Sequence, residues 1–324
     1  MKLRIVIPLT ILLFFSYLIF VFPFETISSW LGRSSSLQET IFSTAFIYLV
    51  YLYYFRSKSK NKFIKFFVYE GIGIGAVSLF IIIFILVVSL VVTISNTLKI
   101  YIYFIIFFPS IIYGLINAKN VSIKKINFSH SKIKNDISFV FLSDIHIGSN
   151  SPKILKKIIP LINQQNPSFV LIGGDLIDSS SFKIQDLNEM KKINAPIYFV
   201  TGNHEYYIED CQKHLDCFKN QNINILDNQS VLEQQINIIG LSDNQKRNDK
   251  IKYFESLYNA NYYNLLLVHQ PSIWKSVREK ANLTLSGHTH NGQIFPFNFI
   301  VMLQFPKIYG VYSYLENKLY VSSG

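Results

Sequence analysis

Four long apolar runs crowd the first third of the chain: Ile5 to Phe24, Thr40 to Phe55, Gly71 to Ile94 and Ile100 to Ile116. About 20 apolar residues span the hydrocarbon layer of a bilayer. The first and third runs therefore predict membrane helices, and the fourth is long enough to be one. The second reaches that length only by including Leu37, Gln38 and Glu39. The expectation is a membrane region over residues 1–118 with about four transmembrane helices. Half of the 324 residues are hydrophobic, with 28 Phe and 20 Tyr, too apolar for one ordinary soluble domain.

The first run follows Lys2 and Arg4 but reads as a retained anchor rather than a signal peptide. Its apolar part is long, no small-x-small cleavage site follows promptly, and further membrane segments come after it. Arg56, Lys58, Lys60, Lys62 and Lys65 lie between the second and third runs, and Lys119, Lys124, Lys125, Lys132 and Lys134 follow the fourth. The opposite loops carry only Arg33 and Lys99. With all four runs spanning, the positive-inside rule puts the N-terminus, the middle loop and everything after residue 118 on the cytoplasmic side of the plasma (inner) membrane; if the second run does not span, the assignment must be rebuilt.

The same lysines give the net charge of +11 a local explanation, so it does not argue for nucleic acid. They could also attract anionic head groups, at about 1 kcal/mol each near the surface, but setting topology alone requires them. Trp30, Tyr101 and Tyr103 stand at segment ends, as interfacial aromatics do. "GIGIG" (Gly71 to Gly75) has no strand before it and reads as close helix packing, not a nucleotide loop. Cys211 and Cys217 form neither a CxxC motif nor a disulfide framework, and fit reduced thiols in a cytoplasmic location.

After residue 118 the texture changes. Residues 119–135 read as a basic linker or first strand, and 136–324 as one compact domain. Within it, short apolar runs recur, each ending in a cluster of Asp, His, Asn and Gly. They are Ile137 to Gly148, Pro167 to Asp178, Ala195 to Glu205, Ile236 to Asn244, Tyr263 to Pro271 and Asn282 to His290. Pro152 to Gln165 and Phe182 to Lys192 carry apolar residues at helical spacing. Strand, helix, strand, helix predicts an α/β sheet with covered faces, whose ligand sites gather beyond the carboxyl ends of the strands.

Those ends hold Asp144 and His146, Asp175, Asn203 and His204, His269, and His288 with His290. Singly each has a structural reading, as a helix cap, a turn residue or a satisfied buried histidine. Jointly they offer carboxylate, imidazole and one amide oxygen, a set suited to Mn, Fe, Zn or Ni. A phosphoester is anionic, so its hydrolysis needs positive charge and a hydroxide at neutral pH. Two metals about 3.5 to 4 Å apart supply both. A carboxylate can bridge them, and neutral histidines ligate without cancelling the charge.

The ordered set "DIH", "GGD", "GNHE", "VHQP" and "GHTH" resembles the calcineurin-like metallophosphoesterase superfamily, and the membrane region resembles its membrane-anchored bacterial branch. The resemblance covers roughly Ile137 to Gly324. It implies a fold of N-terminal membrane helices followed by a metallophosphoesterase-type β-sandwich flanked by helices. It also implies two divalent metal ions: one held by Asp144, His146 and His290, the other by Asn203, His269 and His288, with Asp175 bridging. His204 would stay off the metals, near the leaving-group oxygen, as a proton donor or transition-state stabiliser. Asp178, Glu205 and Asp243 are expected at most to hydrogen-bond the ligand histidines.

Two departures from the family stand out. Asn291 replaces a second glycine after "GHTH", tolerable in a left-handed turn. The chain stops at "LYVSSG", short of the family's usual last loop and strand, so it is expected to be C-terminally truncated, with "KLYV" left as an unpaired edge.

The expected function is a membrane-anchored, metal-dependent phosphohydrolase acting on a phosphodiester or pyrophosphate through a metal-bridging hydroxide. A lipid-linked substrate such as UDP-diacylglucosamine is one candidate. A non-catalytic membrane scaffold or sensor that retains the metal site is the alternative. A transporter fares worse, because the apolar runs embed no charged residue for an ion pathway. Phe295 to Pro306 reads either as a cover over the site that dips toward lipid or as ordinary core packing.

Overall fold

The computed structural model describes residues 2–57, 61–118, 120–179 and 182–324. Lys58, Lys60 and Lys119 of the topology argument lie outside the described residues. The chain divides into two units, residues 1–120 and 121–324.

The first unit is helical: α1 (Lys2–Ser16), a π-helical turn (Tyr17–Val21), α2 (Phe22–Trp30), α3 (Leu37–Ser57), α4 (Lys62–Ser89) and α5 (Asn96–Asn117). Among the described residues, three segments are long and apolar enough to cross a membrane: Leu9–Trp30, Phe63–Ser89 and Asn96–Asn117. The run that needed Gln38 and Glu39 for length forms α3, which has 21 residues and a polar first turn, and is not one of the three. At Gly75 a Cβ would sit 2.7 Å from the Ile19 carbonyl oxygen, so the "GIGIG" stretch does admit close helix packing. Tyr103 and Trp30 are buried against α4, Tyr103 sharing a 2.7 Å hydrogen bond with Ser78.

The second unit is a sandwich of two sheets. One is parallel, in the order β1 (Phe139–Leu142), β2 (Phe169–Ile172), β3 (Ile197–Phe199), β4 (Ile223–Ile225). The other is mixed, with β5 (Gln229–Glu233), β6 (Ile236–Leu241), β7 (Tyr263–Val268), β8 (Leu283–Ser286), β10 (Asn317–Val321) and β9 (Gly310–Tyr314) in that spatial order. Alternation along the strands gives the core three large apolar clusters, with a smaller one of Trp274, Leu319 and Val321 beside them. Phe169, Leu171, Tyr198 and Val200 of the first sheet meet Ile236, Ile238, Leu265, Leu267, Leu283 and Leu285 of the second. Val170, Ile172, Ile197 and Phe199 point the other way, against the helix layer that includes α6 (Leu155–Gln164) and α7 (Cys211–Asp216). Ile239, Leu241, Leu266 and Val268 pack against α8 (Arg247–Leu257) and α9 (Trp274–Val277). A tenth helix, α10 (Phe297–Gln304), follows the last histidines.

Three expectations change. Ile184–Lys192 is a 3-10 helix, because Ile184, Leu187 and Met190 recur every third residue and a three-residue turn lays them in one row against the core. Residues 121–135 hold no strand, yet Val121, Phe128 and Ile133 pack into the sandwich, so the basic segment after Asn120 belongs to the domain. The "KLYV" strand, β10, is paired on both sides, parallel to β8 and antiparallel to β9.

Phe169 is fully buried between the sheets and stacks on Phe139 with ring centroids 5.2 Å apart. Phe169→Ala should destabilise the second unit by about 3–5 kcal/mol, whereas Leu232→Ala on the exposed side of β5 should cost under about 0.5 kcal/mol. Denaturant unfolding of the two variants and the parent, metal-free, measures both.

Candidate metal centre

All seven predicted ligand residues and His204 follow the carboxyl ends of β1, β2, β3, β7 and β8. These five strands run parallel to their neighbours within the two sheets. The structure brings the seven side chains together. Ligand-type atoms of Asp144, His146 and His290 lie within 4.8 Å of one another, as do those of Asp175, His269 and His288. His146 Nε2 and His290 Nε2 are 3.3 Å apart, and His290 Nε2 is 3.6 Å from Asp144 Oδ1. On the other side His269 Nε2 lies 3.2 Å from Asn203 Oδ1 and 3.2 Å from His288 Nδ1. Asp175 Oδ2 faces both groups, 3.8 Å from His146 Nε2 and 3.1 Å from His269 Nε2.

The donor set fits divalent cations. Imidazole nitrogens turned toward each other in pairs, with carboxylate oxygens between them, leave lone pairs converging where protein groups offer few protons to fill them. The second nitrogen of the most buried imidazole is already committed: His269 Nδ1 lies 2.8 Å from the Gly173 carbonyl, which fixes its N–H there and leaves Nε2 to ligate.

The backbone is as specialised as the side chains. Asp144, His146, Asp175, His288, His290 and Asn291 all have φ between 47° and 74°, the left-handed region that non-glycine residues seldom occupy. Asn291 thus sits in the turn expected for it. Gly174 has φ +90°, and a Cβ there would lie 2.6 Å from His269 Nδ1.

The supporting residues differ from expectation in two cases of three. Asp178 Oδ2 lies 3.3 Å from His146 Nδ1, so its charge faces that imidazole as an ion pair, and its carboxylate accepts from Ser149. The Glu205 carboxylate bonds backbone rather than imidazole. Fully buried, it accepts from the backbone N–H groups of Asp175 (3.0 Å), Ile177 (3.0 Å) and Gly202 (2.8 Å). Asp243 is held by Lys250 and Gln270, each at 2.8 Å. Sequence reasoning also missed a buried network in which Thr201 and Tyr206 bond Asp227 and Ser242, joining the end of β3 to the end of β6. Asp227 lies in "LDNQ", which reads only as a turn.

Electrostatics in the metal-free site centre on Asp175. Burial alone would lower the His269 pKa, but the Asp175 carboxylate outweighs it and raises it to about 9. Asp175 in turn is held well below the usual carboxylate range: burial opposes this, and His269 overrides it. Burial, then the charge on His269, pushes His288 down to about 4. His204 and His290 are lowered, first by burial. His204 Nε2 is 3.9 Å from Asp175 Oδ2, and its ring packs edge-on to His146 at 4.7 Å.

The sequence model of the calcineurin-like phosphoesterase family matches residues 137–292. The chain is 36% identical over 230 residues to an uncharacterised metallophosphoesterase of Campylobacter jejuni, covering 66% of this chain and 61% of that protein. It is 34% identical to one of Helicobacter pylori, over 72% of this chain and 66% of the relative. A zebrafish (Danio rerio) protein described as a transmembrane protein with metallophosphoesterase domain is 31% identical, over 66% and 55%. The chain thus spans less than two thirds of the length of each of these relatives.

Two outcomes are expected. Ligation requires a neutral His269, which is protonated at pH 7.5 in the metal-free site, so Mn binding should release protons. Calorimetric heats should then differ between buffers of high and low ionisation enthalpy; equal heats would mean that no proton leaves. Glu205→Gln substitutes a donor for one acceptor oxygen and leaves a backbone N–H unpaired, a loss of about 1–3 kcal/mol in unfolding free energy.

Proposed function

Because the chain belongs to the calcineurin-like phosphoesterase family, we propose that it is a membrane-anchored phosphohydrolase that holds two divalent metal ions and cleaves a phosphodiester or pyrophosphate. The observation that carries this reading is Asp175 Oδ2, which faces the Asp144–His146–His290 group on one side and the His269–His288–Asn203 group on the other. One carboxylate oxygen shared by two ligand sets is what a pair of neighbouring cations requires.

Asp144, His146 and His290 would hold one ion, Asn203, His269 and His288 the other, and Asp175 both. When bound, the ions supply positive charge for the phosphoryl oxygens and the acidity that yields a hydroxide at neutral pH. The protein keeps five imidazoles and only two carboxylates at the centre, so the site retains net positive charge toward an anionic substrate once the metals are in place. His204 is 38% exposed at its side chain, unlike the fully buried His269, and its lowered pKa keeps it neutral at pH 7. It is thus free to turn an N–H toward the leaving-group oxygen. The His204 backbone N–H donates to Asp175 Oδ1 at 2.9 Å, which fixes this residue's position beside the bridging carboxylate.

The basic residues between and after the apolar runs support a catalytic unit on the cytoplasmic face, and the anchor favours a lipid-linked substrate. Purified, detergent-solubilised chain should show Mn-dependent hydrolysis of an aryl phosphodiester. Asp175→Asn should lose both metal and turnover. His204→Ala should keep its metal content while its rate falls about 10²–10⁴-fold. Two bound metals with no turnover on any phosphodiester or lipid pyrophosphate would favour a scaffold instead.

A further inference from the structure

The stretch Phe295 to Pro306 is not core. Six of the thirteen exposed large apolar side chains of the second unit, among the described residues, fall within it: Phe295, Phe297, Phe299, Ile300, Met302 and Leu303, the last 86% exposed. No residue of α10 is buried. A folded domain rarely leaves so contiguous an apolar patch to water without a partner for it.

The patch is fixed to the metal centre. The Phe305 ring packs edge-on to His288 at 5.0 Å, and a Cβ at Gly292 would collide with Asn298, so the helix folds back closely on the histidine loop. The position of α10 is therefore coupled to the residues that face the substrate.

Charge and aromatic placement indicate what covers it. No charged residue occurs from Asn291 to Pro306, and the next residue is Lys307, whose Nζ lies over the rings of Trp274 and Tyr312 at 5.4 and 5.3 Å. Lys124 Nζ is 3.0 Å from the hydroxyl of Tyr309 in the same segment and 4.6 Å from its ring centroid. An apolar surface bordered by lysines and by the exposed Tyr309 ring matches the layers of a bilayer: acyl chain, then interface, then anionic phosphate. The candidate membrane spans belong to the same chain, which makes a bilayer a partner at high local concentration. A second copy of the chain would bring a second uncharged patch bordered by lysines, and those lysines would repel.

We propose that α10 and its flanks are a membrane-docking surface, with the Phe299–Leu303 face entering the head-group and acyl boundary of an anionic bilayer while Lys124 and Lys307 meet its phosphates. The docking stands on this surface alone. Its consequence, that the metal centre opens at the lipid surface and takes substrates whose phosphate lies at that depth, rests on the phosphoesterase reading.

The test uses the full chain in proteoliposomes of phosphatidylcholine with and without phosphatidylglycerol, with benzoyl-phenylalanine in place of Phe299, Leu303 or, as control, Leu232. Irradiation should give lipid adducts from 299 and 303, in higher yield with phosphatidylglycerol, and none from 232. Lys124→Gln with Lys307→Gln should abolish the phosphatidylglycerol enhancement. Adducts to protein, whether a second copy or the same chain, or no lipid adduct at 299 and 303, would overturn the proposal. The readout is a covalent bond to lipid, so it is independent of hydrolysis. Adducts without turnover would sink only the catalytic reading, and turnover without adducts only the docking.

Discussion

The geometry of the site depends on one buried carboxylate whose hydrogen bonds go to backbone N–H groups. Glu205 gathers backbone N–H groups from the Asp175 turn and from Gly202, and so ties the loop after β2 to the loop after β3. Without it, Asp175 would have to hold its left-handed backbone unaided and at some strain. Burial and the nearby Asp175 charge raise the Glu205 pKa to about 7, against the pull of its own amide donors. Such a group is costly to bury unless every donor finds it, which makes the two loops hold a single arrangement or none.

The two sheets divide the work. Three strands of the parallel sheet supply Asp144, His146, Asp175, Asn203 and His204, and two strands of the mixed sheet supply His269, His288 and His290. The centre is therefore assembled only when the sheets pack on each other. The apolar layer that includes Phe169, Leu171, Leu265 and Leu267 does more than stabilise the fold, because it sets the distance between the two ligand groups.

Much of this was legible in the sequence. A short apolar run followed by Asp, His, Asn or Gly marks both a buried strand and its functional end, and the recurrence of that pattern located the eight residues that meet in space. The elements that escaped are those whose text is ambiguous. β4 is three residues and β5 five, in a stretch dense with Asn and Gln, and their pairing is set by neighbours rather than by their own pattern. The 3-10 helix looked helical because its three-residue period is close to the α period. Glu205 was placed near the site but given the wrong partners, since nothing in a side chain announces that it will bind backbone. The Phe-rich segment after the histidines was equally consistent with core, because hydrophobicity does not say which side of a helix faces water.

The left-handed backbone at the candidate ligand positions alters how substitutions there are to be read. At Asp144, His146, Asp175, His288 and His290, alanine removes a donor and also asks a residue with a poor preference for positive φ to keep the turn. A truncation series would mix lost coordination with backbone strain and overstate the former. Asparagine or glycine keeps the turn while changing the donor, whereas Asn203 and His204, with negative φ, can be cut back to alanine without that confusion. The effects of equal truncations should thus divide along the backbone as much as along the chemistry.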